Sequence, residues 1–291
     1  MLLGLLKSLR PKQWSKNLLL FAGLMFTLNK ARPESDILKV VVAFVVFCLL
    51  SSSAYLVNDV VDAGNDRQHP KKRFRAVASG VVSRSVALST AAALVIASLA
   101  VAFYLDRAFA LTAIGYLVLS IVYSLWLKHV VIVDVLTLAA GFVVRAVAGA
   151  LVIHVEISEW LLVCTTLLAL FLGLAKRRNE MLVLEDGAAN HRKILREYTP
   201  ALLDQMIVIT ASCTVMAYML YTFLSTTGEG SHRYMMMTIP FVTYGLFRYL
   251  YLVHTRSLGG SPESVLLEDV PLIVNLVLWL LTVAAVFVYA K

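Results

Sequence analysis

Residues 58–75 read NDVVDAGNDRQHPKKRFR, and opposite charges meet within that stretch. Asn58, Asp62 and Asp66 are spaced i, i+4, i+8. Asp59, Asp62 and Asp66 are spaced i, i+3, i+7. Both sets fall on one face if the segment is helical. Carboxylates held so close repel one another unless a positive charge sits between them. Hard oxygen donors in this arrangement suit Mg²⁺, which keeps waters and bridges to substrate phosphates. Lys71, Lys72, Arg73 and Arg75 follow at once. Acids that hold a divalent metal, beside guanidinium groups that fork onto phosphate oxygens, make a diphosphate site. Alone, the basic run would read as a topology signal. A solvated loop would seldom align its acids at helical spacing at the end of an apolar run.

The elements that must position these charges are membrane spans. The chain has 291 residues, of which 60% are hydrophobic and 15% charged, with a mean hydropathy of +0.81. That composition predicts an all-α integral membrane protein and leaves no soluble domain of useful size. Nine apolar segments are expected to cross, at about 15–29, 38–57, 86–105, 108–126, 133–152, 158–175, 202–224, 234–252 and 270–290. The first is the weakest, and a tilted or re-entrant helix would also fit it. One domain, residues 1–291, is expected, with no internal repeat. The N-terminal MLLGLLKSLRPKQWSKN does not read as a signal peptide. With the N-terminus on one side, 18 Lys and Arg fall on that side and 6 on the other, while Arg145 and Arg248 lie within spans. The bias places the N-terminus and the long loops in the cytoplasm, in a cell (inner) membrane, and the C-terminus opposite. A net charge of +8 points to anionic substrates before nucleic acid. Cys48, Cys164 and Cys213 lie in apolar stretches and read as small buried hydrophobes.

Three further features concern charge. The sixth span ends in AKRRNEMLVLEDG, residues 175–187, which is basic at Lys176, Arg177 and Arg178. Arg145 lies well inside an apolar run, where an unpaired charge costs at least ~2.5 kcal/mol. It should face the bundle interior, as part of a substrate site or of a structural pair. Lys128 and Asp134, on the loop before it, are placed to complete a cavity wall. Tyr123 sits about a turn below, as a substrate contact or a member of the interfacial aromatic belt.

The stretch NDVVDAGND resembles the N-D-x-x-D-x-x-x-D motif of the UbiA superfamily of intramembrane prenyltransferases, at the end of the second of nine spans where that family carries it. The likeness covers essentially the whole chain. It implies a UbiA-type bundle with a central cavity open to the cytoplasm. That family has a second Asp-rich motif after the sixth span, where this chain has Lys176, Arg177 and Arg178. Within the superfamily the chain is similar to the decaprenyl-phosphate phosphoribosyltransferase branch. RPKQWSKN (10–17), NDVVDAGNDRQHPKKRFR, YSLWLKH (123–129), VVRAVAG (143–149), AKRRNE (175–180) and REYT (196–199) carry that likeness.

The resemblance implies Mg²⁺-dependent transfer of 5-phosphoribose from 5-phosphoribosyl 1-diphosphate (PRPP) to a polyprenyl phosphate lipid, toward arabinan precursors of the cell wall. Asp59, Asp62 and Asp66 become the expected catalytic carboxylates, with Asn58, Asp62 and Asp66 the metal ligands. Lys71, Arg73 and Arg75 are expected on the donor phosphates. Lys12 and Lys16 would hold a phosphate or anchor the first span at the headgroups. Lys176 and Arg177 would take the donor 5-phosphate or the lipid phosphate, or snorkel to the interface. Tyr123, Lys128 and Arg145 complete the substrate set. Oligomeric state stays open, a homo-oligomer included. Two other readings compete. Ordinary prenyl transfer to an aromatic or other acceptor shares the fold and first motif but not the Lys-Arg-Arg run. An anion transporter would need matched Gly or Pro breaks in two halves, which the sequence lacks.

Overall fold

The computed structural model describes residues 2–25, 27, 33–68, 72–183, 193–224, 234–255, 265 and 268–289, and among these there is no strand. They group into two compact units, the first drawn from Met1–Leu24 and Pro33–Glu156, the second from Met25–Arg32 and Ile157–Lys291. Seven helices among the described residues are long and apolar enough to cross a bilayer, and Val270–Val286 is a shorter apolar stretch.

The first unit holds α1 (Leu2–Ser8), a 3₁₀ segment (Pro11–Phe21) running into α2 (Ala22–Met25), then α3 (Glu34–Gln68), α4 (Arg84–Leu105), α5 (Arg107–Leu125) and α6 (Val133–Leu151). The helix ends follow local chemistry. Ser83 accepts a hydrogen bond from Val86 N, and Asp106 accepts one from Phe109 N at 2.8 Å, so each caps the following helix. Pro33 precedes α3, and Glu34 and Asp36 lie in its first turn, where acids favour the positive helix end. At 35 residues, α3 is about 52 Å long, well beyond ~30 Å of hydrocarbon. Its last turns therefore stand clear of the apolar layer, and these turns carry Asn58 to Asp66.

The first expected span is not an ordinary α-helix. It is the 11-residue 3₁₀ stretch and a 4-residue α turn. At the longer 3₁₀ rise the two together reach about 28 Å. Polar side chains tie the 3₁₀ segment to α3: Trp14 Nε1 donates to Ser52 Oγ at 3.1 Å, and Asn17 Nδ2 lies 3.3 Å from Ser51 Oγ and from Cys48 Sγ. Small residues bring it against α6. A Cβ added at Gly149 would stand 2.0 Å from the Leu20 carbonyl oxygen, and one at Gly23 would stand 3.1 Å from Ala150 Cα. Without a hydrophobic effect between helices in lipid, such close backbone approach is what packs spans together. Leu20, Phe47, Leu50, Phe109, Tyr116 and Val152 fill the core around this contact.

The second unit holds α7 (Glu159–Val183), a 3₁₀ turn (Lys193–Glu197), α8 (Pro200–Leu224), α9 (Ile239–Thr255) and α10 (Val270–Tyr289). Its core includes Tyr218, Tyr221, Met235, Val283 and Val286. Trp279 Nε1 donates to the Tyr218 hydroxyl at 3.0 Å, which also meets Thr238 Oγ1 at 2.7 Å. The cysteines do not all behave as buried hydrophobes. Cys48 is buried, Cys164 half-buried and Cys213 exposed. A thiol on the outer face of a span suits lipid as well as a core does.

Gly149→Ala should lower the thermal unfolding temperature of the purified protein in detergent, by an overpacking cost of about 1–3 kcal/mol. Gly115→Ala, a helical position with nothing within 4 Å of its added Cβ, should hold or raise it. Equal effects of the two would refute the close approach of Leu20 to α6.

Candidate functional site

The acidic cluster forms because α3 runs unbroken through it to Gln68. Asp59 is 2% exposed and Asp66 5%. Asn58 and Asp62 are half-buried. Burying carboxylates demands partners, and three other elements supply them. Arg10 pairs with Asp59 through NH2. Arg75 NH1 bridges two acids, 3.3 Å from Asp59 Oδ1 and 2.7 Å from Asp66 Oδ2. Lys128 Nζ lies 2.6 Å from Asp62 Oδ1, and Asn58 Nδ2 donates to Asp62 Oδ2 at 3.1 Å.

Each cation is fixed by its own local fold. Arg75 leads a loop whose Ala76, Val77 and Val82 pack on Leu56 and Ala63 of α3 and Ala87 and Ala91 of α4. Ser79 N donates to Arg75 O, and Val82 N to Ala76 O, at 2.8 and 2.9 Å. Gly80, at φ 81°, makes the return. Lys128 sits in the 3₁₀ turn Leu127–His129 between α5 and α6 and is 5% exposed. Arg10 follows α1 at φ 53°, ψ 59°, with its guanidinium 4.9 Å from the Tyr55 ring centre. A non-glycine residue before proline rarely adopts that left-handed conformation, which costs about 1–3 kcal/mol and marks functional sites. In the sequence Arg10 stands among the topology charges and opens the RPKQWSKN stretch, with no role of its own assigned. Nothing there pairs it with an acid 49 residues away.

Arg10, Asp59 and Arg75 line a cavity of about 450 Å³ together with Lys7, Ser8 and Ser79. The donors around Asp62 are of the kind Mg²⁺ takes: two carboxylates, Asp62 and Asp66, and the amide oxygen of Asn58, which its Nδ2 contact leaves as an acceptor. Among the described residues no three acidic, histidine or cysteine side chains are gathered as a metal site. Cations stand between the acids instead.

The other expected site residues are distributed as follows. Lys12 is exposed, and Lys16 and Tyr123 are half-buried. Arg73 is exposed and stacks over Phe74. Lys71 lies outside the described residues. Arg145, 5% exposed, belongs to a separate network. Its Nε donates to Asn17 Oδ1 at 2.7 Å, NH1 to Gly141 O at 2.6 Å and NH2 to the Tyr116 hydroxyl at 2.8 Å. Its guanidinium also faces the Tyr116 and Phe142 rings. Asp134 is fully buried at the start of α6. In the second unit Lys176 is half-buried. Arg177 is 1% exposed and donates to Glu180 Oε2 at 2.6 Å. Arg178 pairs with Asp204, whose Oδ1 is also 3.4 Å from His254 Nε2.

A family model described as the UbiA prenyltransferase family matches residues 18–267. The decaprenyl-phosphate phosphoribosyltransferase of Mycolicibacterium smegmatis is 34% identical over 298 residues, spanning 99% of this chain and 93% of its own length. The protein of that name from Corynebacterium glutamicum is 37% identical over 281 residues, spanning 95% of this chain and 84% of its own length. A solved structure, a UbiA homologue from Archaeoglobus fulgidus bound to GPP and Mg²⁺, shares the fold. Its TM-score is 0.73 at 18% identity, covering 98% of this chain and 99% of that one.

Arg75→Met should destabilise the protein by about 3 kcal/mol, since it leaves two buried carboxylates without their shared cation. Adding Asp66→Asn, at the carboxylate that Arg75 holds at 2.7 Å, should recover part of that loss, since Asp59 keeps Arg10. A double-mutant cycle on chemical unfolding reads the coupling, and simple additivity would deny the bridge.

Proposed function

Because the chain belongs to the UbiA prenyltransferase family, we propose that this multi-pass membrane protein transfers 5-phosphoribose from PRPP to a polyprenyl (decaprenyl) phosphate and releases diphosphate. The observation that carries this reading is the buried acid row of α3 with Arg10, Arg75 and Lys128 against it. Such an arrangement offers both a place for a divalent ion and cations for phosphate oxygens. The full-length relatives named decaprenyl-phosphate phosphoribosyltransferase narrow the chemistry. A phosphoribosyl donor that leaves a diphosphate is PRPP.

In this reading residues 1–291 form one UbiA-type domain of nine spans, the first being the 3₁₀ stretch. The acid row faces the cytoplasm and the C-terminus lies opposite. Asn58, Asp62 and Asp66 would hold Mg²⁺, which supplies charge neutralisation of the leaving diphosphate when bound. Arg75, Arg73 and Lys71 hold the donor phosphates, and Lys128 stands at Asp62. Lys12, Lys16, Lys176 and Arg177 keep the assignment to the lipid phosphate or the donor 5-phosphate that sequence gave them, and Tyr123 that of a substrate contact. Arg145 holds the 3₁₀ segment, α5 and α6 together through Asn17, Tyr116 and Gly141, and keeps its assignment to the substrate set.

The reaction breaks the ribose C1–O bond to diphosphate and forms a C1–O bond to the lipid phosphate. Charge builds on the leaving oxygen and on an oxocarbenium-like ribose, so positioning and fixed charges do most of the work. The attacking phosphate is already an anion, and no strong general base is required.

Purified protein with radiolabelled PRPP and a polyprenyl phosphate should label the lipid in Mg²⁺ and not in EDTA. Asp62→Ala should abolish labelling while the protein remains folded. Turnover of a prenyl diphosphate without lipid labelling would return the chain to ordinary prenyl transfer.

A further inference from the structure

The cavity of about 450 Å³ lies between α1 and the loop that carries Arg75. The two walls touch: a Cβ added at Gly4 would stand 3.0 Å from Val81 Cγ1. Of the acid row only Asp59 reaches the cavity. Asn58, Asp62 and Asp66, the residues assigned to Mg²⁺, do not line it. Three cations do: Lys7, Arg10 and Arg75. Arg10 and Arg75 are held by carboxylates, while among the described residues Lys7 has no ion-pair partner. A cationic lining without metal ligands suits a phosphate bound by the protein itself, not one carried on a metal.

The rim is apolar. Leu3, Phe74 and Val81 line the cavity and are themselves exposed, Leu3 at 76% and Phe74 at 72%. Leu6, on the same short helix as Leu3, is exposed too. The last turns of α3 beside them stand clear of the hydrocarbon. Large exposed apolar side chains at that level, next to basic ones, are what an interfacial element sets into the headgroup boundary.

We propose that this cavity is where the polyprenyl phosphate docks, with its phosphate on Lys7 and Arg10 and its first isoprene units against Leu3, Phe74 and Val81. This rests on the function proposed above and deepens it, by giving the acceptor a site that includes Lys7. Three cations against one carboxylate leave the lining positive, as a phosphate monoester of about −1.5 to −2 charge requires. The 5-phosphate of the donor is a monoester of the same charge. The rim separates the two, since exposed leucine and phenylalanine offer nothing to a ribose and match a prenyl chain. Asp59 and Arg75 belong to both the cavity and the acid row, so a phosphate held here stands beside the donor.

Full-length protein in zwitterionic lipid nanodiscs tests this, with empty nanodiscs as the blank. Equilibrium dialysis reads a radiolabelled short-chain prenyl phosphate against two competitors, ribose 5-phosphate and the matching prenyl alcohol. The prenyl phosphate should bind and both competitors should displace it poorly. Lys7→Gln should weaken it about tenfold or more, the usual loss for a hydrogen bond to a charged group, and Lys7→Arg should keep it. Leu3→Ser should weaken it as well. In transfer assays Lys7→Gln should raise the KM for polyprenyl phosphate and leave that for PRPP unchanged. If ribose 5-phosphate competes as well as the prenyl phosphate, or if Lys7→Gln raises the KM for PRPP instead, the cavity serves the donor and the inference is overturned. Unchanged prenyl phosphate binding in Lys7→Gln and Leu3→Ser would overturn it too. Binding with the expected variant pattern but no transfer from PRPP would uphold the site and remove the proposed reaction.

Discussion

Three carboxylates at the end of one membrane helix, two of them almost wholly buried, must be neutralised, and much of the first unit is built around that requirement. Helix α3 is long enough to carry them past the apolar layer. What remains is to bring cations to them from elsewhere in the chain. The turn after α1 delivers Arg10, the loop ahead of α4 delivers Arg75, and the turn between α5 and α6 delivers Lys128. The packing of Ala76, Val77 and Val82 on α3 and α4 has its purpose here. It sets one guanidinium where two carboxylates can share it.

A second buried charge is handled differently. Arg145 has no acid among its hydrogen-bond partners described above. Its donors go to an amide oxygen, a main-chain carbonyl and a phenol hydroxyl, and its face lies against aromatic rings. Neutral acceptors and ring faces solvate the charge inside the bundle. The result is a bolt through three elements. It explains why the 3₁₀ segment, which makes fewer favourable backbone bonds than an α-helix, is held so close to α6. Gly149 makes the approach possible and Arg145 with Asn17 fastens it. The two networks differ in kind: one pairs acids with cations, and the other solvates a lone cation with neutral groups.

The basic run at the end of α7 illustrates how a charge cluster changes meaning once its partners are known. Read as sequence, Lys176, Arg177 and Arg178 are a cationic patch. In the second unit Arg177 is buried against Glu180, and Arg178 is shared with Asp204, which also meets His254. Two of the three positive charges are thus matched by acids on α7 and α8.

The sequence by itself determined the class and a spacing of acids that falls on one face once the helix continues, and the structure showed that α3 does continue, to Gln68. The class and the spacing follow from hydropathy and from helical periodicity, which act between neighbours along the chain. It also identified Lys128 and Arg75 as charges near the site. The tertiary structure decided which cation serves which acid. It drew in Arg10 from 49 residues away, removed Arg145 to another network, and turned the first span into a 3₁₀ stretch. The reason is physical. Pairing of buried charges and close backbone approach depend on distances between segments far apart in sequence, and no local periodicity encodes them.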